Sequence, residues 1–247
     1  MPVPLAKGVE SKMIGNVLRN LFLKEKANSK KFVSYLRKKG VSIGEDVRFY
    51  SPGSNVIDVT APWLLTIGNH VRITHGVIIL THDYAWSVLK KQDGSIFGAQ
   101  SPVKIGNNVF IGMNSIITRG VTVGNNVIIG AGSVVAKDCE SNWVYAGNPA
   151  KKIMTVDEYY AKRKALQFEE AKVVALEYQK RYGKMPPKDV FYEYFMLFCT
   201  PEEIAEHPKF IFQMNCCENY GESVAYMNAN PPMFESYEAF LKACEEE

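Results

Sequence analysis

Residues 105–140 read IGNNVF, IGMNSI, ITRGVT, VGNNVI, IGAGSV and VAKDCE, which are six consecutive hexads in phase. The first position of each hexad is Ile or Val, the second is Gly, Thr or Ala, and the fifth is Val, Ser or Cys. An α-helix would place apolar residues three and four apart, and a half-buried strand would alternate, so a period of six fits neither. The hexads predict a parallel β-helix, in which each hexad supplies a short strand and a corner.

The period also predicts which residues stack. Three hexads make one triangular coil, so residues three hexads apart lie on top of each other. This arrangement places Ile105 beneath Val123, Ile111 beneath Ile129 and Ile117 beneath Val135. One coil cannot bury its own apolar face, so the stacked aliphatic positions form the core. The alternative is an ordinary β-sandwich with coincidental Ile-Gly pairs, and six hexads in phase argue against it.

Towards the N-terminus the repeat continues less regularly. Hexads begin at Ile43, Ile67, Ile73 and Ile79, with an irregular piece at residues 52–63. Before them, residues 11–39 carry apolar side chains at helical spacing, and Gly40 suits the end of a helix. We therefore predict three parts, listed by residue number: a helical segment at 1–40, the β-helix at 41–154 and a C-terminal helical extension at 155–247.

A loop interrupts the coil. Ile79 and Ile105 are separated by a distance that is not a multiple of six, and removing residues 85–98 restores the phase. This leaves AQSPVK (99–104) as an extra hexad and places His82 one coil below Asn114 on the same corner. Because long loops in regular scaffolds are commonly functional, the extruded loop at 85–98 is expected to lie at the site.

The C-terminal extension shows helix signals. Thr155 and Glu158 form a capping box, which predicts a charged helix to about Tyr182. Thr200-Pro201 predicts the start of another helix. The aromatic residues between 191 and 198 predict a packing face rather than a ligand cage.

Composition excludes several classes of protein. A net charge of +3 with 22% charged residues gives no indication of a nucleic-acid partner. The start MPVPLAKGVESK has no apolar segment like that of a signal peptide, and no run of the sequence is long enough to span a membrane. We therefore expect a cytoplasmic protein. The five cysteines are odd in number and lack CxxC spacing, so neither a disulfide framework nor a zinc knuckle is predicted.

Histidine is the candidate for chemistry, because the GxSxG, P-loop and GxGxxG motifs are absent. His82 stands beside Asp83 where the coil breaks, and a histidine there can act as general base. The alternative is a corner histidine that only caps backbone groups. His70 and His75 are spaced like metal ligands, but a zinc site needs a third ligand. Both are expected on other corners than His82, so only a neighbouring subunit would complete such a site.

The repeats and five motifs resemble the hexapeptide-repeat acyltransferases. The motifs are THD at 81–83, VFIG at 109–112, IGAGSVV at 129–135, KD at 137–138 and AGNPAKKI at 146–153. The likeness covers residues 41–153 and is closest to the galactoside and maltose O-acetyltransferases and the xenobiotic and capsular-polysaccharide acetyltransferases. It implies a left-handed parallel β-helix, a homotrimer with its active sites between adjacent subunits, and acetyl-CoA as the acetyl donor.

The resemblance also implies roles for individual residues. His82 matches the catalytic base, and Asp58 matches an acidic residue that holds the acceptor hydroxyls. Asp83 and Asn114 are assigned to the substrate side as the neighbours of His82 in the chain and in the expected stack. The residues that match the CoA side of the site are Phe110, Met113, Ala131, Lys137 and Lys151.

Together these expectations describe an acetyl-CoA-dependent O-acetyltransferase that acts on a hydroxyl of a sugar or polysaccharide precursor. Transfer is expected to be direct, with a histidine base and without a metal. Three alternatives stay open at this point. The first is N-acetylation of an amino sugar or a small antibiotic, the second is a metalloenzyme like the γ-type carbonic anhydrases, and the third is a non-catalytic trimeric scaffold.

Overall fold

The computed structural model describes residues 24–246, and the chain divides into two compact units between Tyr159 and Tyr160. The first unit is built from short parallel strands stacked in coils, with a helix before them, and the second is helical. Each unit has its own core of buried apolar side chains. The prediction of a parallel β-helix flanked by helices is confirmed.

The strands of the first unit form three faces, which we name A, B and C in the order in which the chain visits them. Face A contains β1 (Ser42–Ile43), β4 (Leu65–Ile67), β9 (Val103–Ile105) and β12 (Thr122–Val123). Face B contains β2 (Arg48–Phe49), β5 (Val71–Ile73), β10 (Val109–Ile111), β13 (Val127–Ile129) and β15 (Trp143–Ala146), followed by the antiparallel β16 (Lys151–Thr155). Face C contains β3 (Val56–Ile57), β6 (Ile78–Ile79), β11 (Ile116–Ile117) and β14 (Val134–Val135).

The strand register confirms the predicted stacking. Ile105 pairs with Val123, Ile111 with Ile129 and Ile117 with Val135, all in parallel. These six side chains are at most 2% exposed. Burying each of them stabilises the fold by about 2 kcal/mol relative to leaving it in water. The column of aliphatic first positions is therefore the core of the β-helix.

The corner between faces A and B explains the small second position of the hexad. A Cβ on Gly106 would lie 2.6 Å from the carbonyl oxygen of Gly124 in the next coil. Beside the glycines runs a polar ladder, in which a backbone N–H of one coil donates to a side chain of the next. The N–H of Asn69 donates to Asn107 Oδ1 (2.8 Å), and the N–H of Asn107 donates to Asn125 Oδ1 (2.7 Å). The asparagine side chains at this corner thus accept hydrogen bonds from backbone N–H groups that the short strands leave unpaired.

The first coil is more complete than its sequence indicates. The irregular piece at residues 52–63 contains β3, which pairs in parallel with β6 and supplies face C of that coil. Before this coil lie a 3-10 turn, Lys24–Lys26, and helix α1, Ser29–Lys39. Gly40 ends α1 with a φ of +106°, as its position predicts. The predicted helical residues 11–23 lie outside the described part of the chain.

The excursion from the coil is longer than predicted. One regular coil of three hexads separates Ile116 from Val134, with which it pairs in the next coil. Ile78 pairs with Ile116 in the same way, but the chain between them also contains the excursion. The excursion is therefore one hexad longer than residues 85–98. The excursion contains β7 (His82–Asp83), helix α2 (Trp86–Asp93) and β8 (Ala99–Gln100). The prediction that AQSPVK forms an extra hexad is wrong. Strand β8 runs antiparallel to β7 and pairs with it instead of joining one of the three faces.

The chain passes from the first unit to the second within a stretch that the sequence predicts as one helix. The capping box is confirmed, since Glu158 Oε2 accepts from the Thr155 N–H (2.7 Å) and the Glu158 N–H donates to Thr155 Oγ1 (3.1 Å). The helix is interrupted at Leu166, which separates α3 (Val156–Ala165) from α4 (Gln167–Tyr182). The helix predicted at Thr200 is a 3-10 turn instead. The remaining helices are α5 (Pro208–Met214), α6 (Tyr220–Ala229) and α7 (Tyr237–Glu245), with 3-10 turns at Lys188–Phe191, Phe195–Leu197, Glu203–Glu206 and Cys216–Glu218.

Aromatic side chains form the core of the second unit. Phe191, Phe195 and Phe198 are buried among Phe210 and Phe240, which confirms a packing role for most of the predicted aromatic face. All five cysteines are free thiols. Within residues 24–246, no helix combines the length and the apolar character that a membrane span requires.

Candidate active site

His82 and Asp58 form a hydrogen-bonded pair at the corner where face C ends. The Nδ1 atom of His82 lies 2.5 Å from Oδ2 of Asp58. The pairing of β3 with β6 brings Asp58, which follows β3, into the coil directly below the start of the excursion. The side chain of Asp58 is 3% exposed and that of His82 is 22% exposed. A buried carboxylate therefore holds a partly open imidazole.

The pair fixes the orientation and the tautomer of His82. An ionised carboxylate only accepts hydrogen bonds, so the proton between Nδ1 and Asp58 belongs to the imidazole. In the neutral ring Nε2 then carries the lone pair. Within the described residues Nε2 has no hydrogen-bond partner, while Thr60 Oγ1 adds a second contact at Nδ1 (3.2 Å). The geometry suits a base that takes a proton at Nε2.

Asp58 stays ionised because several donors surround it. Burial by itself would raise the pKa of Asp58, but hydrogen bonds from Thr81, Thr60 and His82 outweigh burial and hold the pKa far below its usual value. Thr81 donates through its hydroxyl (2.6 Å) and its N–H (3.0 Å), and Thr60 donates through its hydroxyl (2.7 Å) and its N–H (2.9 Å). The resemblance assigns Asp58 to the acceptor hydroxyls, and that role stays a prediction. In the structure the carboxylate accepts hydrogen bonds from these two threonines, and its Oδ2 faces Nδ1 of His82.

An open cleft lies beside His82. Its volume is about 410 Å³, and its lining residues are His82, Asp83, Tyr84, Trp86, Gly98, Ala99 and Gln100. Asp83, expected on the substrate side, does line this cleft. A hydrogen bond from Arg119 Nε (2.7 Å) and another from the N–H of Ala85 (3.0 Å) lower the pKa of Asp83. The carboxylate at the rim of the cleft is therefore negatively charged and fixed in position.

Asn114 does not lie where the sequence analysis places it. The strand register stacks Asn114 on Gly76, and its N–H donates to the carbonyl of His75 at 2.9 Å. The error follows from the length of the excursion, because removing only residues 85–98 leaves one hexad too many in the coil and shifts the register. Asn114 therefore occupies the corner between faces B and C, whereas His82 occupies the corner between faces C and A.

The residues assigned to the CoA side lie on the outside of the coil. Phe110 is exposed on face B, and Met113 and Ala131 are exposed and stacked on the corner between faces B and C. Lys137 is exposed on the corner that follows face C, one coil above Arg119. Lys151 is exposed at the start of β16. Neither lysine forms an ion pair with any other described residue, so both charges are available to an anionic ligand.

The other two histidines of the β-helix have structural partners. His70 Nδ1 lies 3.0 Å from Asp46 Oδ2, in a cluster with Arg48 and Arg72 at the corner between faces A and B. His75 Nδ1 lies 3.3 Å from Ser51 Oγ on the next corner. Among residues 24–246, no three His, Cys, Asp or Glu side chains are grouped to hold a metal ion.

Several residues of the site are not predicted from the sequence. Thr81 is adjacent to His82 and could have been found from the THD motif. Thr60 is brought in only by the turn that follows Asp58, and Arg119 is brought in only by the stacking of coils. Tyr84 and Trp86 stand at the start of the excursion, and the wrong loop boundary hides their closeness to His82. Apart from Thr81, these residues are brought to the site by three-dimensional register, which the repeat does not give across an interruption.

Comparisons with known proteins point to one family. Residues 102–137 match the family described as Bacterial transferase hexapeptide (six repeats). The chain is similar to Protein CapG of Staphylococcus aureus, with 47% identity over 148 residues that cover 57% of this chain and 85% of that protein. It is also similar to the galactoside O-acetyltransferase of Escherichia coli strain K12, with 29% identity over 129 residues, 46% of this chain and 63% of that protein. A solved galactoside acetyltransferase in complex with coenzyme A shares 26% identity over 62% of this chain and 85% of its own, with a TM-score of 0.40.

Proposed function

The chain belongs to the hexapeptide-repeat acyltransferase family, and from that premise we propose that it transfers an acetyl group from acetyl-CoA to a hydroxyl of a sugar or polysaccharide precursor. The observation that carries this proposal is the His82–Asp58 pair beside an open cleft that His82 lines, with Nε2 bonded to no other described residue. A relative named as a galactoside O-acetyltransferase supports a saccharide acceptor.

The chemical step needs a base, and His82 is placed to be that base. Nε2 takes the proton of the acceptor hydroxyl as the oxygen attacks the carbonyl carbon of the thioester. The C–S bond then breaks, and His82 returns the proton to the CoA sulfur, so no proton is gained or lost. Asp58 stabilises the imidazolium that exists between the two proton transfers, because its carboxylate is ionised and 2.5 Å from Nδ1.

A direct transfer accords with the chemistry of the cysteines. In the β-helix unit the only cysteine is Cys139, which lies buried beside β12. Burial raises the pKa of the Cys139 thiol to about 12, so the nucleophilic thiolate does not form near neutral pH. A covalent acetyl-cysteine intermediate on the β-helix is therefore disfavoured.

The residues assigned to acetyl-CoA fit that molecule. Lys137 and Lys151 supply cations for its phosphates, and lysine binds phosphate as a flexible point charge. The exposed side chains of Phe110 and Met113 supply apolar surface for the pantetheine arm, beside Ala131.

The positions of these residues favour an active site shared between subunits. His82 and Lys137 lie on the corner that follows face C, whereas Met113 and Ala131 lie on the corner that precedes it. Two corners of a convex prism do not share one cleft. A second copy of the chain, with its preceding corner against the His82 corner of the first, would complete the site. We therefore propose a homotrimer with three sites, and a monomeric mass in light scattering would contradict it.

The direct test is turnover by His82→Ala. Wild type and variant are mixed with acetyl-CoA and a panel of methyl pyranosides, and the released CoA thiol is measured. Loss of the base is expected to lower kcat by about 100-fold to 10,000-fold. The matched control is His70→Ala, because His70 contacts Asp46 on a different corner and should leave turnover unchanged. Near-normal turnover by His82→Ala would refute the proposed mechanism.

A further inference from the structure

Two aromatic side chains form a wall of the His82 cleft. The ring centroid of Tyr84 lies 5.5 Å from that of His82, with the ring planes at 72°. The Trp86 ring lies 5.7 Å from Tyr84. Both residues line the cleft, and Tyr84 is 66% exposed. Neither ring belongs to the hydrophobic core of the β-helix. The chain therefore keeps an exposed tyrosine ring and a half-buried tryptophan ring at the cleft of its candidate base.

The shape and polarity of this wall fit the ring of a sugar. A pyranoside presents C–H groups on one face of its ring and hydroxyls around its edge. An aromatic face carries partial negative charge and attracts the slightly positive hydrogens of such C–H groups. The cleft volume of about 410 Å³ lies near the lower end of the roughly 300–1,000 Å³ typical of ligand pockets, which suits one or two sugar rings.

We propose that Tyr84 and Trp86 form the acceptor platform, which receives the C–H face of a pyranoside and thereby presents a ring hydroxyl to Nε2 of His82. This proposal rests on the proposed function and names the substrate class that the site accepts. An acyclic polyol has the same hydroxyl groups but no rigid ring face, so the platform discriminates against it.

Polar groups at the rim complete the recognition of the ring. The Asp83 carboxylate lines the cleft and is held by Arg119, so it can accept hydrogen bonds from sugar hydroxyls at a fixed position. Gln100 lies opposite His82 in the β7–β8 pair, also lines the cleft and is exposed. The C–H face and the hydroxyl edge of the sugar would thus be bound by different parts of the excursion.

The test is saturation-transfer NMR on the whole chain of 247 residues. The probes are methyl β-D-galactopyranoside, methyl α-D-glucopyranoside, the acyclic galactitol and, separately, acetyl-CoA. In wild type, at least one pyranoside is expected to show saturation of the C–H protons of one ring face, and galactitol is expected to show none. Tyr84→Leu and Trp86→Leu should each weaken the pyranoside signal at least about five-fold, because the stacking surface is lost.

Two control variants test whether the pyranoside signal depends on the aromatic ring of Tyr84. Tyr84→Phe keeps the aromatic face and should retain the pyranoside signal. Tyr182→Leu removes a tyrosine that is 62% exposed in the second unit and should change nothing. The acetyl-CoA signal should persist in every variant, which also shows that the variants are folded.

Each contrary result has a distinct meaning. Absence of pyranoside saturation in wild type, or equal saturation in wild type, Tyr84→Leu and Trp86→Leu, overturns the platform while acetyl-CoA binding upholds the donor site. Loss of the acetyl-CoA signal together with the pyranoside signal in Tyr84→Leu also overturns it, because the ring would then be a donor or subunit contact. Pyranoside binding without acetyl-CoA binding in wild type would overturn the proposed function and retain the platform.

Discussion

At the scale of single residues, the proposed chemistry depends on how Asp58 holds His82. A histidine at the end of a β-helix coil has a mobile ring unless a partner fixes one nitrogen. Here the partner is a buried carboxylate that also accepts hydrogen bonds from Thr60 and Thr81. The two threonines fix Asp58, and Asp58 fixes the imidazole, so the orientation of Nε2 does not depend on bound substrate.

Asp58→Asn should therefore lower kcat with little change in the KM for acetyl-CoA. The amide has one oxygen acceptor instead of two, and its NH₂ group would face the donors on Thr81 or His82. The imidazole would lose its fixed tautomer, and we expect a fall in kcat of about 100-fold or more. Steady-state kinetics at a saturating acceptor concentration measure this. A change confined to KM would show instead that Asp58 contacts substrate, as the family resemblance implies.

The same substitution makes a prediction about stability and pH. Because the pKa of Asp58 is lowered in the folded state, its hydrogen bonds stabilise the fold above the unfolded pKa of about 4, and this stabilisation is lost as the pH falls towards the lower folded pKa. At pH 7, Asp58→Asn should cost about 1–3 kcal/mol, since buried donors lose their acceptor. Urea unfolding at pH 7 and pH 3 should show a smaller difference between wild type and variant at pH 3. An equal or larger difference at pH 3 would contradict the account.

Some single residues of the site can be predicted from the sequence, and others cannot. His82 is identified correctly as lining a cleft, because it stands at a break in a regular repeat. The link between Asp58 and His82 is missed, since it requires knowing that β3 exists within the irregular residues 52–63. Asn114 is misplaced for a related reason, because phase alone does not give the length of the excursion. An excursion that is longer by one whole hexad restores the same phase.

At the scale of elements, the β-helix depends on close approach between successive coils. Gly106 is the clearest case, since a Cβ there would lie 2.6 Å from the Gly124 carbonyl oxygen and 2.7 Å from Asn125 Oδ1. Asn125 Oδ1 is one of the acceptors of the polar ladder at the corner between faces A and B. The hexad repeat predicts a small residue here from its pattern, and the structure supplies the physical reason.

Gly106→Ala should therefore destabilise the β-helix. Adjacent coils cannot separate locally without breaking their hydrogen bonds, so we expect a loss of about 2–4 kcal/mol in the free energy of unfolding. The matched control is Gly221→Ala in α6, where a Cβ meets no atom within 4 Å. There alanine should stabilise the helix by about 0.5–1 kcal/mol. Chemical denaturation of both variants gives the comparison, and equal effects would refute the steric explanation.

The element scale is where prediction from sequence succeeds best. The pairs Ile105–Val123 and Ile117–Val135 follow directly from the period, because each hexad has the same geometry. The helical part of the chain has no repeat, and there the predicted start at Thr155 and the predicted end near Tyr182 are correct. The break at Leu166 and the 3-10 turn in place of a helix after Thr200 are missed, because they depend on packing that the sequence does not display.

At the scale of the whole molecule, the β-helix combines a regular coil with the β7–α2–β8 excursion. The faces and corners carry the residues that we propose for the donor side, while the excursion supplies the cleft beside His82. We therefore expect the choice of acceptor to depend on the excursion. The proposed trimer follows from the same geometry, because His82 and the exposed Met113 and Ala131 lie on two different corners of one chain.

The measurement that tests the central claim most directly is isothermal titration of the purified, metal-free protein with acetyl-CoA, run in parallel on wild type and His82→Ala. We predict saturable binding to both proteins with similar affinity, because the base acts on the acceptor and not on the donor. Combined with the loss of turnover in His82→Ala, that result would establish a donor site served by a separate base. No detectable binding of acetyl-CoA to wild type would contradict the account.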